Sequence, residues 1–348
     1  MGTVEEEIYE AVDVILGDLE KPPKVFIVLF ACALFIEGID EKAVISKLSE
    51  KHPGPRFQVC LMNPISVGTD HAPVTMMYSR MAELFDTVEQ ENALNFIGNN
   101  VPVDRRCEIY EVLSELGVDT VNHPVDMRTF EEFRRMGAAR WNLVIKPEGI
   151  RAAKELSPRM DYRVLLTTYD PEEIDQQYEQ LFDMFGRRCD IASYREEAEG
   201  ALRALGERLG SKTVALGSSA TYKVFTLAKV LIGFGVNVTD IFYSRDIYDT
   251  VPPFDRDGYD WIAKHPEVRL HNVSDPEMIG KRGAVCRADI AIGFNAAYFT
   301  DTDCIAEISS DEGLFGYRGV VLLAETIIGA MDVPKDLRAV VSRYGLVI

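Results

Sequence analysis

Apolar residues recur every three or four positions from Val4 through Ile8, Val12, Ile15 and Leu19, which predicts an opening amphipathic helix. Thr3 and Glu6 stand at the spacing of a capping box at its start. Lys21-Pro22-Pro23-Lys24 ends it, because proline has no amide to continue the ladder. The period then changes. Residues 25–30 form an unbroken apolar run rich in β-branched and aromatic side chains, which suits a strand buried on both faces of a parallel sheet. The exchange of the two patterns repeats along the chain. Strands are predicted over 56–62, 94–97, 118–121, 141–145 and 162–166, and helices over 72–88, 104–116 (closed by Gly117) and 129–139 (capped by Thr129). Two long polar helices follow over 171–187 and 193–209. A strand over 213–216, a helix over 220–234 with Ser219 as its cap, and a strand over 237–243 come next. Segments 268–272, 290–293 and 320–323 fit later strands or buried runs.

Strand-helix-strand order throughout implies an α/β fold with right-handed parallel crossovers. The pattern predicts three Rossmann-like parallel-sheet units with flanking helices. These are a first α/β domain over 1–93, a second over 94–168, and a third over 199–348 that closes on a C-terminal helix. The polar helices of 169–198 connect the last two. The aromatic and acidic stretch 243–261, stiffened by Pro252-Pro253, reads as a long loop.

Composition narrows the function. The chain has 348 residues and a formal net charge of −19, which repels nucleic acid phosphates and anionic membranes, so neither is an expected partner. No apolar run is long enough to cross a bilayer. The first residues, Met-Gly-Thr-Val-Glu-Glu-Glu, are acidic and unlike a signal peptide, which predicts a cytoplasmic, reducing setting and counts against a periplasmic-type solute receptor. Six cysteines occur, at 32, 60, 107, 189, 286 and 304, and none forms a CxxC pair. There is no GxGxxG or Walker pattern, so no nucleotide is expected. His265 and His271 flank the 243–261 stretch at a spacing that makes no metal motif.

Several segments together resemble the nitrogenase component 1 type oxidoreductases. In Lys24-Val-Phe-Ile-Val-Leu-Phe-Ala-Cys32-Ala-Leu-Phe-Ile-Glu-Gly38-Ile-Asp40, a strand leads to a cysteine and then to Gly38 and Asp40 at the family's spacing, with Ile39 in place of its first aspartate. Leu94-Asn95-Phe96-Ile97-Gly98 is similar to the family's Val-Asn-Ile-Ile-Gly strand, and Leu113-Ser-Glu-Leu116-Gly117-Val118 to its leucine-leucine-glycine helix end. Ala138-Ala139-Arg140-Trp141-Asn142-Leu143-Val144 is similar to its alanine-rich helix and Asn-Leu strand, and Phe315-Gly316-Tyr317-Arg318-Gly319 to its Gly-Tyr-x-Gly segment. The departures are specific. The chain starts after the segment where family members carry two further cluster cysteines, so it reads as N-terminally short. Lys146 stands where the catalytic subunit of nitrogenase has a cofactor cysteine, and Ala306 and Glu307 stand near its cofactor histidine. No iron–molybdenum cofactor is therefore expected.

The resemblance implies an oxidoreductase subunit that takes electrons from an ATP-dependent iron–sulfur reductase and reduces a small molecule other than dinitrogen. It implies a homo- or hetero-oligomer with a nitrogenase-like subunit. Cys32 is then a single thiolate ligand to an iron–sulfur cluster shared with another chain, since one cysteine cannot complete it. Against this stands the ordinary role of a free cysteine as a small buried hydrophobe. Substrate-crevice candidates are Ser66, Thr69 and His71 in the loop after the 56–62 strand, Lys146 after the 141–145 strand, and Glu307; Asp40 orients a helix start. Each competes with a common use: capping for Thr69 and Asp70, an exposed first turn for His71, a solvated loop for Lys146. A non-catalytic binding, scaffold or assembly protein that kept the fold and lost the ligands is the alternative.

Overall fold

The structure, a computed structural model, describes residues 4–31, 38–62, 72–244 and 251–343. Its contacts gather into two compact units: residues 1–98 with 122–164, and residues 99–121 with 165–348. Among the described residues, no helix is long and apolar enough to cross a membrane.

The first unit contains two parallel sheets. In the smaller, β1 (Val25–Ala31) pairs with β2 (Arg56–Met62) in unbroken register from Val25↔Arg56 to Ala31↔Met62. Helix Glu41–Lys51 makes the crossover between them. Its Val44 and Leu48 pack with Phe30, Phe57 and Val59 and with Tyr9 and Val12 of helix Val4–Asp18. The other face of β1 is open: Ile27 is 39% and Leu29 57% exposed, where the unbroken apolar run predicts burial on both faces.

The larger sheet contains β3 (Glu91–Ile97), β4 (Thr120–Asn122), β5 (Ala139–Val144) and β6 (Asp161–Val164), in the order β4-β3-β5-β6. β3, β5 and β6 run parallel. Helices Pro73–Ala82 and Ile150–Leu156 pack Tyr78, Ala82, Ala152, Ala153 and Leu156 against Ile97 and Val144. The asparagines of the two strand motifs are register partners, Asn95↔Asn142. Both are fully buried, and Asn95 Nδ2 donates to Asn142 Oδ1 at 3.0 Å and to the Met136 carbonyl at 3.0 Å. Asn122 Nδ2 donates to Asn95 Oδ1 at 2.9 Å. A buried amide must find partners of this kind, which explains a polar residue at the centre of two apolar strands.

Helix Pro73–Ala82 stops earlier than its 72–88 pattern predicts. The Asp86 amide donates to the Arg134 carbonyl at 2.9 Å, and Arg134 Nε donates to the Asp86 carboxylate at 2.9 Å. Gly137 lies so close that a Cβ there would sit 2.0 Å from the Asp86 carbonyl oxygen. These tertiary contacts hold Asp86 outside the helix that the pattern predicts.

In the second unit, five parallel strands take the order β11-β10-β7-β8-β9. They are β7 (Thr213–Gly217), β8 (Asn237–Tyr243), β9 (Arg269–Asn272), β10 (Ile290–Ile292) and β11 (Ile305–Ala306). Helix Pro171–Phe185 is capped by Asp170, which accepts from the Glu172 amide, and ends at Gly186 in the left-handed region. Helix Ala192–Leu209 packs along helix Gly316–Asp332. The apolar run 320–323, consistent with a strand by sequence, lies inside that last helix, because a short buried run has no period that separates the two. Gly316, in the Gly-Tyr-x-Gly segment, has φ +66, and a Cβ there would lie 2.1 Å from Glu108 Oε1. Fully buried Glu108 accepts from the Tyr317 and Arg318 amides at 2.6 and 2.9 Å and from the Tyr178 hydroxyl at 2.7 Å.

Two sequence expectations change in this unit. The helix predicted from Ala220 starts at Val224, and Ser219 is not its cap. Asp255 takes that role from a distant segment, accepting from the Phe225 and Thr226 amides at 2.9 Å each. The stretch 243–261 is not all loop: its end forms helix Arg256–Ile262, whose Gly258 lies against the Thr226 amide.

Candidate functional site

In the first unit, β1 ends at Ala31, register partner of Met62 at the end of β2. Cys32 and the 63–71 segment therefore continue from the carboxyl ends of paired neighbouring strands, where open α/β sheets place ligands. Cys32, Ser66, Thr69 and His71 themselves lie outside the described residues, as does Thr3. Asp40, which follows in sequence, caps helix Glu41–Lys51 through Oδ1, accepting from the Lys42 and Ala43 amides at 2.9 and 3.2 Å.

Beside this helix start lies a crevice of about 540 Å³, lined by Asp40, Glu41, Lys42, Arg56, Arg80 and Glu83 among others. Its charges balance, three acidic side chains against three basic. Arg80 Nη1 donates to Glu83 Oε1 at 2.7 Å, while Arg80 Nε is buried with no hydrogen-bond partner among the described residues. Burial pushes the neighbouring Cys60 thiol up, against the pull of Arg80, so it behaves as a packed thiol.

Lys146 follows β5 and is 3% exposed, so it is not a solvated loop lysine. It opens the short turn Pro147–Gly149. Here the backbones of the two central strands close on each other. A Cβ on Gly98, whose φ is +94, would lie 2.6 Å from the Gly149 Cα, and one on Gly149 would lie 2.4 Å from the Ile97 carbonyl oxygen.

Glu307 belongs to the second unit and follows β11. Lys335 Nζ lies 2.9 Å from its Oε1 and Arg343 Nη2 donates to its Oε2 at 2.8 Å, so it serves as an anchor for residues near the end of the described chain. In the same sheet, the Gly217-Ser218-Ser219 turn faces Asn295. Ser219 Oγ donates to Asn295 Oδ1 at 2.7 Å, and Asn295 Nδ2 donates to Ser218 Oγ at 3.3 Å and to the Phe242 carbonyl at 3.4 Å. An apolar cleft of about 350 Å³ opens next to Asn295, lined by Val273, Phe294, Tyr298, Phe299, Leu337 and Val341.

A second constellation in this unit has no counterpart in the sequence motifs. Asp240, fully buried in β8, meets His271 of β9, whose Nε2 lies 2.7 Å from Asp240 Oδ1. Arg269 donates through Nε to Oδ1 at 2.9 Å and through Nη2 to Oδ2 at 2.7 Å. Cys286 joins them, and one donor atom each from Asp240, His271 and Cys286 lies within 4.8 Å of the others. Burial alone would raise the Asp240 carboxyl, but the hydrogen bonds from His271 and Arg269 outweigh it and hold it well below the usual carboxylate range. Burial, and then the Asp240 charge, push the Cys286 thiol up to about 12. The signal in sequence was only the pair Asp240 and His271 on strands whose pairing the sequence does not state.

The described cysteines do not assemble. Burial pushes the Cys107 thiol up to about 12, and its Sγ lies 3.8 Å from the Gly313 carbonyl. Cys304 sits against Asp303 rather than with Cys286, and both are free. Among the described residues, the Asp240, His271 and Cys286 group is the only convergence of three or more Cys, His, Asp or Glu donors. With a single sulfur it does not fit an iron–sulfur cluster, which is held mainly by thiolates.

Comparison with known proteins places this geometry. A family model described as nitrogenase component 1 type oxidoreductase matches residues 1–332. A structure of nitrogenase Cp1 at pH 6.5 is similar with a TM-score of 0.64 and 19% identity over 94% of this chain and 79% of that one. Another of nitrogenase Cp1 at pH 5 is similar with a TM-score of 0.54 and 16% identity over 94% and 74%. Comparison with curated proteins gives no match.

Proposed function

Because the chain belongs to the nitrogenase component 1 type oxidoreductases, we propose that it is an oxidoreductase subunit that accepts electrons from an ATP-dependent iron–sulfur reductase and passes them to a small molecule other than dinitrogen. It works in this reading with a second chain of the same type. The observation that carries the reading is the end-to-end register of β1 and β2, the strands that Cys32 and the 63–71 segment follow in sequence. Cys32 is then this chain's single thiolate ligand to the cluster, and another chain supplies the rest. Such a cluster supplies one-electron transfer when bound. The chain's own residues orient the site: Asp40 fixes the helix start, and the buried Lys146 stands at the end of β5. Exclusion of dinitrogen is supported by Lys146 and Glu307, neither a soft nor an imidazole ligand.

One observation favours a second reading, a binding or assembly protein of the same fold that has lost its cluster. Cys60 and Cys107 are buried packing residues rather than members of a ligand set. Anaerobic purification separates the two, with iron content and visible absorbance measured with and without Cys32→Ser. Brown protein that loses its absorbance in the variant supports the oxidoreductase. Colourless protein, even after reconstitution with the partner chain, overturns it in favour of the assembly role.

A further inference from the structure

The Asp240 group lies apart in sequence from the Cys32 segment and is unused by the reading above. Its geometry follows from strand pairing. Asp240 and Arg269 are register partners, as are Phe242 and His271, so the two-residue period of a strand puts all four side chains on one face. The segment after β9 crosses that face on its way to β10, with Val285, Cys286 and Ala288 packed on the cluster of Phe242, Phe294 and Phe299. The Gly283 amide, donating to the Tyr298 carbonyl at 2.9 Å, pins the segment there. His271 stacks on Phe242 with ring centroids 4.7 Å apart and planes 19° from parallel, which fixes the direction of its ring nitrogens.

We propose that Asp240, His271 and Cys286 form a binding site for a divalent cation of the zinc class, with a fourth position open to water or a ligand. The donor set decides the ion. One carboxylate oxygen, one imidazole nitrogen and one thiolate suit zinc or cobalt, whereas calcium and magnesium require oxygen donors throughout. Bond lengths of about 2.0–2.3 Å at tetrahedral angles place donor atoms about 3.3–3.6 Å apart. The three donors within 4.8 Å reach that spacing by small side-chain rotations, with His271 Nε2 and Asp240 Oδ1 moving apart from their 2.7 Å contact. The cation takes the place of that hydrogen bond. One proton leaves the Cys286 thiol for solvent, the cation replaces the proton on His271 Nε2 so that the neutral ring carries its proton on Nδ1, and the carboxylate and thiolate together balance the two positive charges. The remaining carboxylate oxygen, Oδ2, keeps the hydrogen bond from Arg269 Nη2. The apolar wall of Phe242 and Phe299 limits water at the ion.

Arg269 also opposes the cation, since both are positive and share one carboxylate. This separates a metal site from a structural ion pair. Metal-free full-length protein is titrated with cobalt(II) under anaerobic conditions, and thiolate-to-cobalt charge-transfer absorbance is followed, with displacement by zinc as a second readout. The expected result is one cobalt ion per chain with a thiolate band. Cys286→Ser abolishes that band, and His271→Gln weakens binding about tenfold or more. Arg269→Gln tightens binding several-fold, an effect that a purely structural pair would not produce. Cys32→Ser and Cys304→Ser leave the band in place, which keeps the result independent of any iron at Cys32. Absence of a thiolate band in folded wild-type protein, or its persistence in Cys286→Ser, overturns the proposal.

Discussion

The β3/β5 pair and the β7/β10 pair occupy the same topological position, because strand order reverses at each and open sheets favour ligands there. They are closed by different means. At the end of β3 and β5, Gly98 and Gly149 bring backbone against backbone, leaving no room even for a methyl group. At the end of β7 and β10, side chains fill the gap, with Asn295 bonded to Ser218 and Ser219. Backbone closure is rigid and has no small substitution that reopens it. At the other reversal the nearest atoms are side chains: a Cβ on Gly217 would lie 1.8 Å from Asn295 Oδ1 and one on Gly293 2.8 Å from Ser219 Oγ, beside an apolar cleft of about 350 Å³. Topology alone therefore does not locate a binding site; the residues that fill the reversal decide whether it is usable.

The comparison can be broken most directly at Gly98. Gly98→Ala is expected to lose ~3 kcal/mol or more, since it combines φ +94 with a Cβ 2.6 Å from backbone. A change below ~1 kcal/mol in urea unfolding would show that the closure is not tight.

The second unit offers a pH test at Asp255, whose acid burial pushes up from 3.8 to about 6. The unfolded chain ionises first, so stability is full below about pH 4, falls as pH rises, and levels off above about 6, by an amount on the order of 2–3 kcal/mol. Asp255→Asn removes this slope, so the stability difference between wild type and variant should change across that window; a constant difference would refute it.

Asn142→Leu tests the polar ladder of β3 and β5. It removes an acceptor from the buried Asn95 amide and is expected to cost ~2 kcal/mol, read from the thermal midpoint. Asn295→Ala, at the other reversal, is expected to cost only ~1 kcal/mol because Ser218 and Ser219 are partly exposed and water replaces the lost partner. An equal or larger loss would mean that the two closures are equally rigid. The smallest effect is expected for Glu307→Gln, roughly 0.5–1 kcal/mol, and chiefly at low salt, because Arg343 is 64% exposed. A larger effect that resists salt would make Glu307 more than a local anchor.

Sequence by itself determined the α/β class and the position of most strands, with 56–62 and 237–243 matched to the residue. Both end in a short apolar run and are bounded by proline, glycine or polar turns, so the local pattern carries the information. It also identified Thr129 as a cap, borne out by its bond to the Glu132 amide, because that interaction is local. What it left open depends on residues far apart in the chain. The position of Asp86 beyond helix Pro73–Ala82 was fixed by Arg134, the start of helix Val224–Gly233 by Asp255, and the glycine at 316 by Glu108. Asp240, His271 and Cys286 are the clearest case. Nothing in their spacing marks them as ligands, and only the pairing of β8 with β9 and the path of the next segment bring their donor atoms together. Local periodicity is written in neighbouring residues, whereas a site assembled across strands exists only once the sheet has chosen its register.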